Sequence, residues 1–373
     1  DFEEILDRRE GELFPISEAG LYVVNDGYRP TPSALILNWI SGLGRLNEKA
    51  RFLIATGCHK APDERHLKRI FGSLYQSLRD RILIHDAYDA GSLVEIGKDV
   101  RGEPVFINKA FHQAEKVVVI GSVEPHYFAG YTGGRKAVFP GLGDFRTTVR
   151  NHGLAVSFEA APMKLETNPV EEHLQSLMHL VAHKKIFGIQ VVLGADDEIA
   201  HLSCGRLADS FEEVKDAARR TYGIQLRHKY DLLLAEVRPP LDSNLYQLQK
   251  SLENCQAAVA DKGNIILFSP CREGVGSDAF YRLAANWNPG QEARPASDND
   301  FGIHKLYRVN KIGQRIGINL FSDLPEGIPE RVFFHGVSKP QGLLDRIMET
   351  QSSVKVALVR DAGHTVLVNC RHL

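Results

Sequence analysis

The sequence predicts an α/β fold in two domains, each a mainly parallel sheet flanked by helices. Three observations predict it. Short apolar runs stop abruptly at polar or glycine-containing segments, helical patterns lie between those runs, and 373 residues suffice for two separately cored domains. Continuous apolar runs suit strands buried on both faces of a parallel sheet. Their alternation with helices is the pattern of α/β domains.

In chain order, Leu21–Val24 is the first such run and leads into Asn25-Asp26-Gly27-Tyr28-Arg29-Pro30. Phe52–Ala55 leads into Thr56-Gly57-Cys58-His59-Lys60. A helix begins near Pro62, with Asp63 and Glu64 in the first turn where the helix dipole favours acids, and continues through Leu67 and Ile70. Ile82–Ile84 is strand-like and precedes His85-Asp86; Val117–Ile120 is a strand leading to Glu124-Pro125-His126. Ile186–Leu193 is another strand, and Gly194-Ala-Asp-Asp197 turns from it into Glu198–Leu202. A second unit begins after the helix-like Phe211–Tyr222. In it, Asp231–Glu236, Asn264–Phe268 and Val354–Val359 are strands and Tyr246–Ala260 is a helix. The boundary is set near residue 226, giving an N-terminal domain (1–226) and a C-terminal domain (227–373). The active site is expected in the cleft between them. In such sheets ligands bind beyond the carboxyl ends of the strands. Asp26–Arg29, Thr56–Lys60 and Glu124–Lys136 are therefore expected on one rim.

Hydrophobic residues make up 43% and charged residues 25%, ordinary values for a globular protein, and the net charge is -2. That balance gives no electrostatic case for nucleic acid or an anionic membrane, and makes a small molecule the expected partner. No apolar run is long enough to span a bilayer and no signal-peptide pattern occurs. The five cysteines (Cys58, Cys204, Cys255, Cys271, Cys370) form no CxxC and are expected as reduced thiols in a cytoplasmic protein. The chain starts at Asp1 and not at methionine, so an N-terminal piece is expected to precede it.

The densest chemistry lies in Glu124-Pro-His-Tyr-Phe-Ala-Gly-Tyr-Thr-Gly-Gly-Arg-Lys136. Paired glycines let backbone approach a ligand, their N–H groups can cradle an anion, and Arg135 and Lys136 add positive charge. Neither a GxxxxGK[ST] loop nor a GxGxxG fingerprint is present. The same spacing equally suits a surface turn with two solvated cations. His59 and His126 each follow a strand, and two imidazoles on one rim could act as acid and base near neutral pH. Taken singly, each reads better as a structural histidine, one of 15 in the chain. His152 has the residue type of a metal ligand but also suits a plain helix end. Asp26 and Arg29 could clamp a carboxylate through the guanidinium fork or simply pair with each other in a turn. Gln247 and Lys250 share a helix face and could reach a polar substrate or face solvent.

Together these segments resemble the lactate racemase family, the nickel-pincer-nucleotide enzymes. The core of the resemblance is His126-Tyr-Phe-Ala-Gly-Tyr-Thr-Gly-Gly-Arg-Lys136, with Pro140-Gly141 and Asn151-His152. Asn25–Ser33, Ala55–Lys60 and Pro240–Lys250 support it, and it extends from about Leu21 to Val368. The resemblance implies that His59 and His126 are the acid/base pair, that Lys136 can join the cofactor covalently, and that His152 is the protein ligand to nickel. It places Asp26, Gly27, Tyr28, Arg29 and Tyr246 at the cofactor, and Arg29, Gln247 and Lys250 at the substrate. The implied cofactor is nickel(II) in a pyridinium mononucleotide with thioamide and thiocarboxylate arms, and the cofactor-making enzymes are implied partners.

The implied activity is inversion at C2 of a 2-hydroxyacid by reversible hydride transfer. An α-hydrogen is weakly acidic. Removing it as hydride avoids a carbanion but needs an acceptor no side chain provides. Two enantiomers need bases on different sides, hence two histidines. Lys60 stands where lactate-acting members have arginine and Phe301 where they have tryptophan; Tyr127, Tyr131 and Gly302–Lys305 also depart from them, which leaves the substrate open among lactate and malate-like, aromatic or sugar acids. The alternatives are an NAD(P)-type oxidoreductase of a 2-hydroxyacid, disfavoured by the missing GxGxxG, and a catalytically silent binding homologue.

Overall fold

The computed structural model describes residues 2–194, 196–287, 302–350 and 353–369; Phe301 and Cys370 lie outside them. The first apolar run forms β1 (Leu21–Asn25), paired in parallel with β2 (Arg51–Ala55), which pairs in parallel with β3 (Ile82–Ile84). On its other side β1 pairs in parallel with β4 (Lys116–Ser122), followed by parallel β5 (Lys185–Leu193) and antiparallel β6 (Ile199–Arg206). The order is β6-β5-β4-β1-β2-β3. Strand order reverses between β1 and β4, the crevice at which such sheets take ligands. The registers Asn25↔Ala55 and Val24↔Ile120 bring the ends of β1, β2 and β4 to one rim, as the strand pattern predicts.

Burial explains why these runs are strands. Tyr22, Val24, Phe52, Ile54, Val118 and Ile120 are fully buried in one cluster. Each such side chain contributes roughly 1.5–3 kcal/mol on leaving water. Helix α1 (Glu64–Phe71) starts where the sequence places it: the Asp63 side chain accepts from the His66 N–H at 2.9 Å and caps the first turn.

A second sheet contains β7 (Tyr230–Glu236), β8 (Val259–Phe268), β9 (Gly317–Phe321), β10 (His335–Gly336) and β11 (Val356–Val359), all parallel, in the order β10-β9-β8-β7-β11. One prediction needs correcting here. The helix expected over Tyr246–Ala260 is α-helical only from Leu245 to Cys255, and Val259 already opens β8. Val259 is fully buried in the second core with Leu233, Ile265 and Ile318, so tertiary burial claims it for the sheet.

The chain forms two compact units. The first comprises 1–124, 131–151 and 165–221, the second 125–130, 152–164 and 222–373. The main passage lies at 221/222, against a boundary set from the sequence near 226. Two earlier segments join the second unit: the Met163 N–H donates to the Gly130 carbonyl at 2.9 Å and ties them to each other, and Arg308 binds the carbonyls of Ala155 and Ser157. No helix among the described residues is long and apolar enough to cross a membrane.

Candidate functional site

In the first unit, the turn after β1 builds an Asp–His pair. Asp26 is 5% exposed. Its Oδ1 accepts from the Tyr28 N–H at 3.1 Å, and its Oδ2 lies 2.6 Å from His59 Nδ1. The His59 ring is half-exposed and meets the edge of the Tyr28 ring at 5.0 Å. A carboxylate on Nδ1 fixes the proton there and leaves Nε2 as the accepting nitrogen. Behind it, the Thr56 hydroxyl donates to the His85 carbonyl at 2.6 Å and His85 Nε2 donates to the Gly143 carbonyl at 3.0 Å. These bonds anchor the turn that carries His59. The local Asp26–Arg29 side-chain pair, one of the two sequence readings, does not form: Arg29 meets Asp26 only through its own N–H on the Asp26 carbonyl at 3.3 Å. A Cβ at Gly27 would lie 2.4 Å from His66 Cδ2, so a larger residue there would have to displace that ring.

Lys136 belongs to a short 3-10 turn, Gly134–Ala137. Gly133 and Gly134 have φ of 70° and 48°, and the Gly134 N–H donates to Gln190 Oε1 at 2.8 Å. The anion-cradling reading needs correcting on two points. Arg135 is buried, donates to Glu171 Oε2 from Nε at 2.7 Å and lies 4.6 Å over the Phe211 ring, so its charge is already spent. A Cβ at Gly133 would meet Val123 and Gln190 within 3 Å, so that glycine serves packing and not an open cradle. Lys136 itself is half-buried.

The second unit holds the other candidates. His126 is buried, and its Nδ1 accepts from the Ala129 N–H at 3.3 Å, which leaves the proton on Nε2 in the neutral ring. Its ring stacks on Tyr127 at 5.2 Å and meets the edge of Phe128 at 4.5 Å. Half-buried His152 lies near the end of α2 (Phe145–Gly153), with its ring 4.8 Å from Phe128 and 5.9 Å from His304. Tyr246, Gln247 and Lys250 lie on α4 (Leu245–Cys255), which follows α3 (Leu207–Tyr222). Asn244 caps α4 by accepting from the Gln247 N–H at 3.0 Å, and Leu245, Leu248 and Leu252 bury the opposite face. This leaves Tyr246, Gln247 and Lys250 half-exposed on the other face.

Four residues of this group did not emerge from sequence. His304 and Lys305 open α5 (Ile303–Arg315), and both are buried. Burial, then the neighbouring His152, Lys305 and Arg308, hold the His304 imidazole well below its usual range. Burial, then the field of Tyr246, holds the Tyr127 phenol well above its own, so the neutral Tyr127 hydroxyl donates to neutral His304 Nε2 across 3.2 Å. Arg308 and Glu253 form a buried two-pronged pair, Nε to Oε1 at 2.6 Å and Nη2 to Oε2 at 2.8 Å. Arg308 Nη1 donates to the carbonyls of Ala155 and Ser157, both at 3.0 Å, and the guanidinium lies 4.6 Å over Phe158. The segment just after His152 is thereby held. The only sequence trace of this group was that Gly302–Lys305 departs from the lactate-acting pattern.

Among the described residues no group of three or more His, Cys, Asp or Glu could by itself hold a metal ion. One half-buried imidazole against an apolar ring suits a cofactor that brings its own sulfur and carbon donors.

The lactate racemase N-terminal domain family matches residues 12–163, and the lactate racemase C-terminal domain family matches residues 234–297. The lactate racemase of Lactiplantibacillus plantarum is 28% identical over 277 residues, 72% of this chain and 64% of that protein. The lactate racemase of Thermoanaerobacterium thermosaccharolyticum is 28% identical over 271 residues, 70% of this chain and 62% of that protein. The matched stretch thus spans just under two thirds of either relative. The solved structure of the lactate racemase apoprotein from T. thermosaccharolyticum superposes with a TM-score of 0.83 at 21% identity, covering 98% of this chain and 92% of that one. A structural-genomics protein from Thermotoga maritima superposes with a TM-score of 0.72 at 14% identity, covering 99% and 98%. Matched along both halves by that family's two domains, the chain belongs to the lactate racemase family.

Proposed function

We propose that the protein is an isomerase that inverts the C2 stereocentre of a 2-hydroxyacid, with His59 and His126 as the two acid/base groups. The observation that carries the reading is the way each imidazole is held. Asp26 fixes one nitrogen of His59 and the Ala129 N–H fixes one nitrogen of His126. In this reading Nε2 of each ring acts on the substrate hydroxyl, as acceptor on His59 and as donor on His126. An inversion run in both directions needs that complementary pair. Arg29 and Lys250 bind the substrate carboxylate, and Gln247 bonds to its polar groups.

The group we assign to the site is nickel in a pyridinium mononucleotide, which when bound accepts and returns the C2 hydride. Lys136 tethers it and His152 is the protein's ligand to the nickel. Asp26, Gly27, Tyr28, Arg29 and Tyr246 contact the rest of the nucleotide. Enzymes that make the cofactor are partners in this reading, and the cytoplasm is the proposed compartment.

The test is a chiral assay over a panel of 2-hydroxyacids, with protein co-expressed with the cofactor-making enzymes. The expected result is inversion of at least one acid, nickel in the protein, and loss of inversion in a folded His126→Ala variant. Nickel-free protein inactive on the whole panel overturns the proposal, as does tight, saturable NAD or NADP binding.

A further inference from the structure

The second unit has a cleft between α5, β9 and the short helix Ile328–Arg331 with the turn that follows it. It encloses about 290 Å³, near the lower end of small-molecule sites. At 3.6 residues per turn, its lining residues Asn310 and Gly313 lie on the face of α5 turned away from His304 and Arg308. Asn310 is 8% exposed, and its Nδ2 has no hydrogen-bond partner. A buried amide left unpaired is costly, and buried polar groups are normally satisfied. Gly313 sits inside the helix, where glycine is less stable than alanine. Packing does not require it: a Cβ there would meet only Ile318 Cδ1, at an ordinary 3.6 Å. The glycine instead keeps the cleft open beside Asn310. Across from it, Phe334 is buried, and Phe333 has a φ of 69°, a left-handed conformation that usually falls to glycine. A phenyl ring is thus held at the wall in spite of backbone strain. Among the described residues no lysine or arginine lines the cleft, and Glu330 brings a carboxylate, whose Oε1 accepts from the Gly336 N–H at 2.7 Å.

We propose that this cleft binds a neutral heterocyclic lactam, of the size of a pyrimidine or purine base, through the Asn310 amide. A lactam carries a carbonyl acceptor and an N–H donor side by side. A half-turn of the Asn310 amide exchanges its oxygen and nitrogen at constant shape, so the amide can pair with either. The flat faces of such a ring suit the phenyl walls. The Glu330 charge, with no cation to offset it, turns carboxylates and phosphates away. The inference is independent of the proposed function, because it uses the other face of α5.

The test is saturation-transfer NMR of the full-length chain with uracil, hypoxanthine and benzoate, for wild type, Gly313→Leu and Asn310→Leu. Leucine at 313 fills the cleft and favours the helix, and leucine at 310 keeps the volume and removes the amide. The expected result is binding of uracil or hypoxanthine on the order of a millimolar or tighter, and benzoate bound at least about tenfold more weakly. Affinity for the base should fall about tenfold or more in Gly313→Leu and about fivefold in Asn310→Leu. Wild type that binds neither base overturns the inference, as does benzoate bound as well as the bases, and both results stand even if a variant fails to fold. Base affinity unchanged in either folded variant also overturns it, since the base would then sit elsewhere on the protein.

Discussion

Removing the charge of Glu253 tests the buried pair in the second unit. In Glu253→Gln the Arg308 guanidinium stays 1% exposed and loses its counter-ion, though it keeps the carbonyls of Ala155 and Ser157 and the face of Phe158. Breaking one side of a buried ion pair costs about 3–5 kcal/mol, and the surviving contacts put this case near the lower end. A loss of about 3 kcal/mol is roughly a 140-fold change in the unfolding equilibrium. At a urea slope of about 2 kcal/mol/M it lowers the midpoint by about 1.5 M. The chain has two tryptophans, and Trp287 lies in the second unit's core beside Leu306 and Val309. Its fluorescence in a Trp39→Phe background therefore follows this unit. The double substitution Glu253→Met with Arg308→Met removes both charges and is expected to recover most of the loss. It also frees the segment after His152, so nickel loading should stay impaired although stability returns. A midpoint shift under about 0.3 M in Glu253→Gln would refute the assignment of an uncompensated charge. Full nickel loading in the double variant would refute the positioning role of Arg308.

Three further outcomes follow. Asp26→Asn removes the carboxylate from His59 Nδ1 and should lower the rate of inversion by about a hundredfold or more at unchanged fold, measured by chiral chromatography; an unchanged rate would remove Asp26 from the site. Burial lowers the His85 pKa below its ordinary 6.5, so the fold holds the neutral ring and the unfolded chain binds the proton more readily. Its contribution is intact above about pH 6.5 and is lost as pH falls through that value toward the lower folded pKa, so the melting-temperature gap between wild type and His85→Asn should narrow from pH 7.5 to pH 5; a constant gap contradicts this. Gly27→Ala puts a Cβ 2.4 Å from His66 and should cost about 1–3 kcal/mol in denaturant titration, and a neutral substitution would show that the turn relaxes freely.

Local signals in the sequence located much of the fold. Asp63 marks the start of α1 because its side chain caps the very next turn, and Leu21–Val24 marks β1 because every residue of the run is buried. Legibility fails where distant residues decide. Val259 and Ala260 continue a helical pattern, yet both lie in β8, where Val259 is buried in the second core. Arg135 looks like a ligand cation until Glu171, 36 positions later, takes it. Asp26 looks like a partner for Arg29, three residues on, and instead meets His59, 33 residues away. Lys305 and His304 were visible only as a departure from a pattern. Their meaning depends on Tyr127, Tyr246 and Glu253, which sequence order scatters over more than a hundred positions.

The central claim is that the C2 hydrogen leaves and returns as hydride within one site. Cofactor-loaded protein should be given a C2-deuterated 2-hydroxyacid in ordinary water, and the inverted enantiomer collected for mass spectrometry. Hydride transfer to a bound acceptor predicts that the inverted product keeps its deuterium. Loss of the label to solvent at the rate of inversion would mean proton abstraction, and would contradict the account.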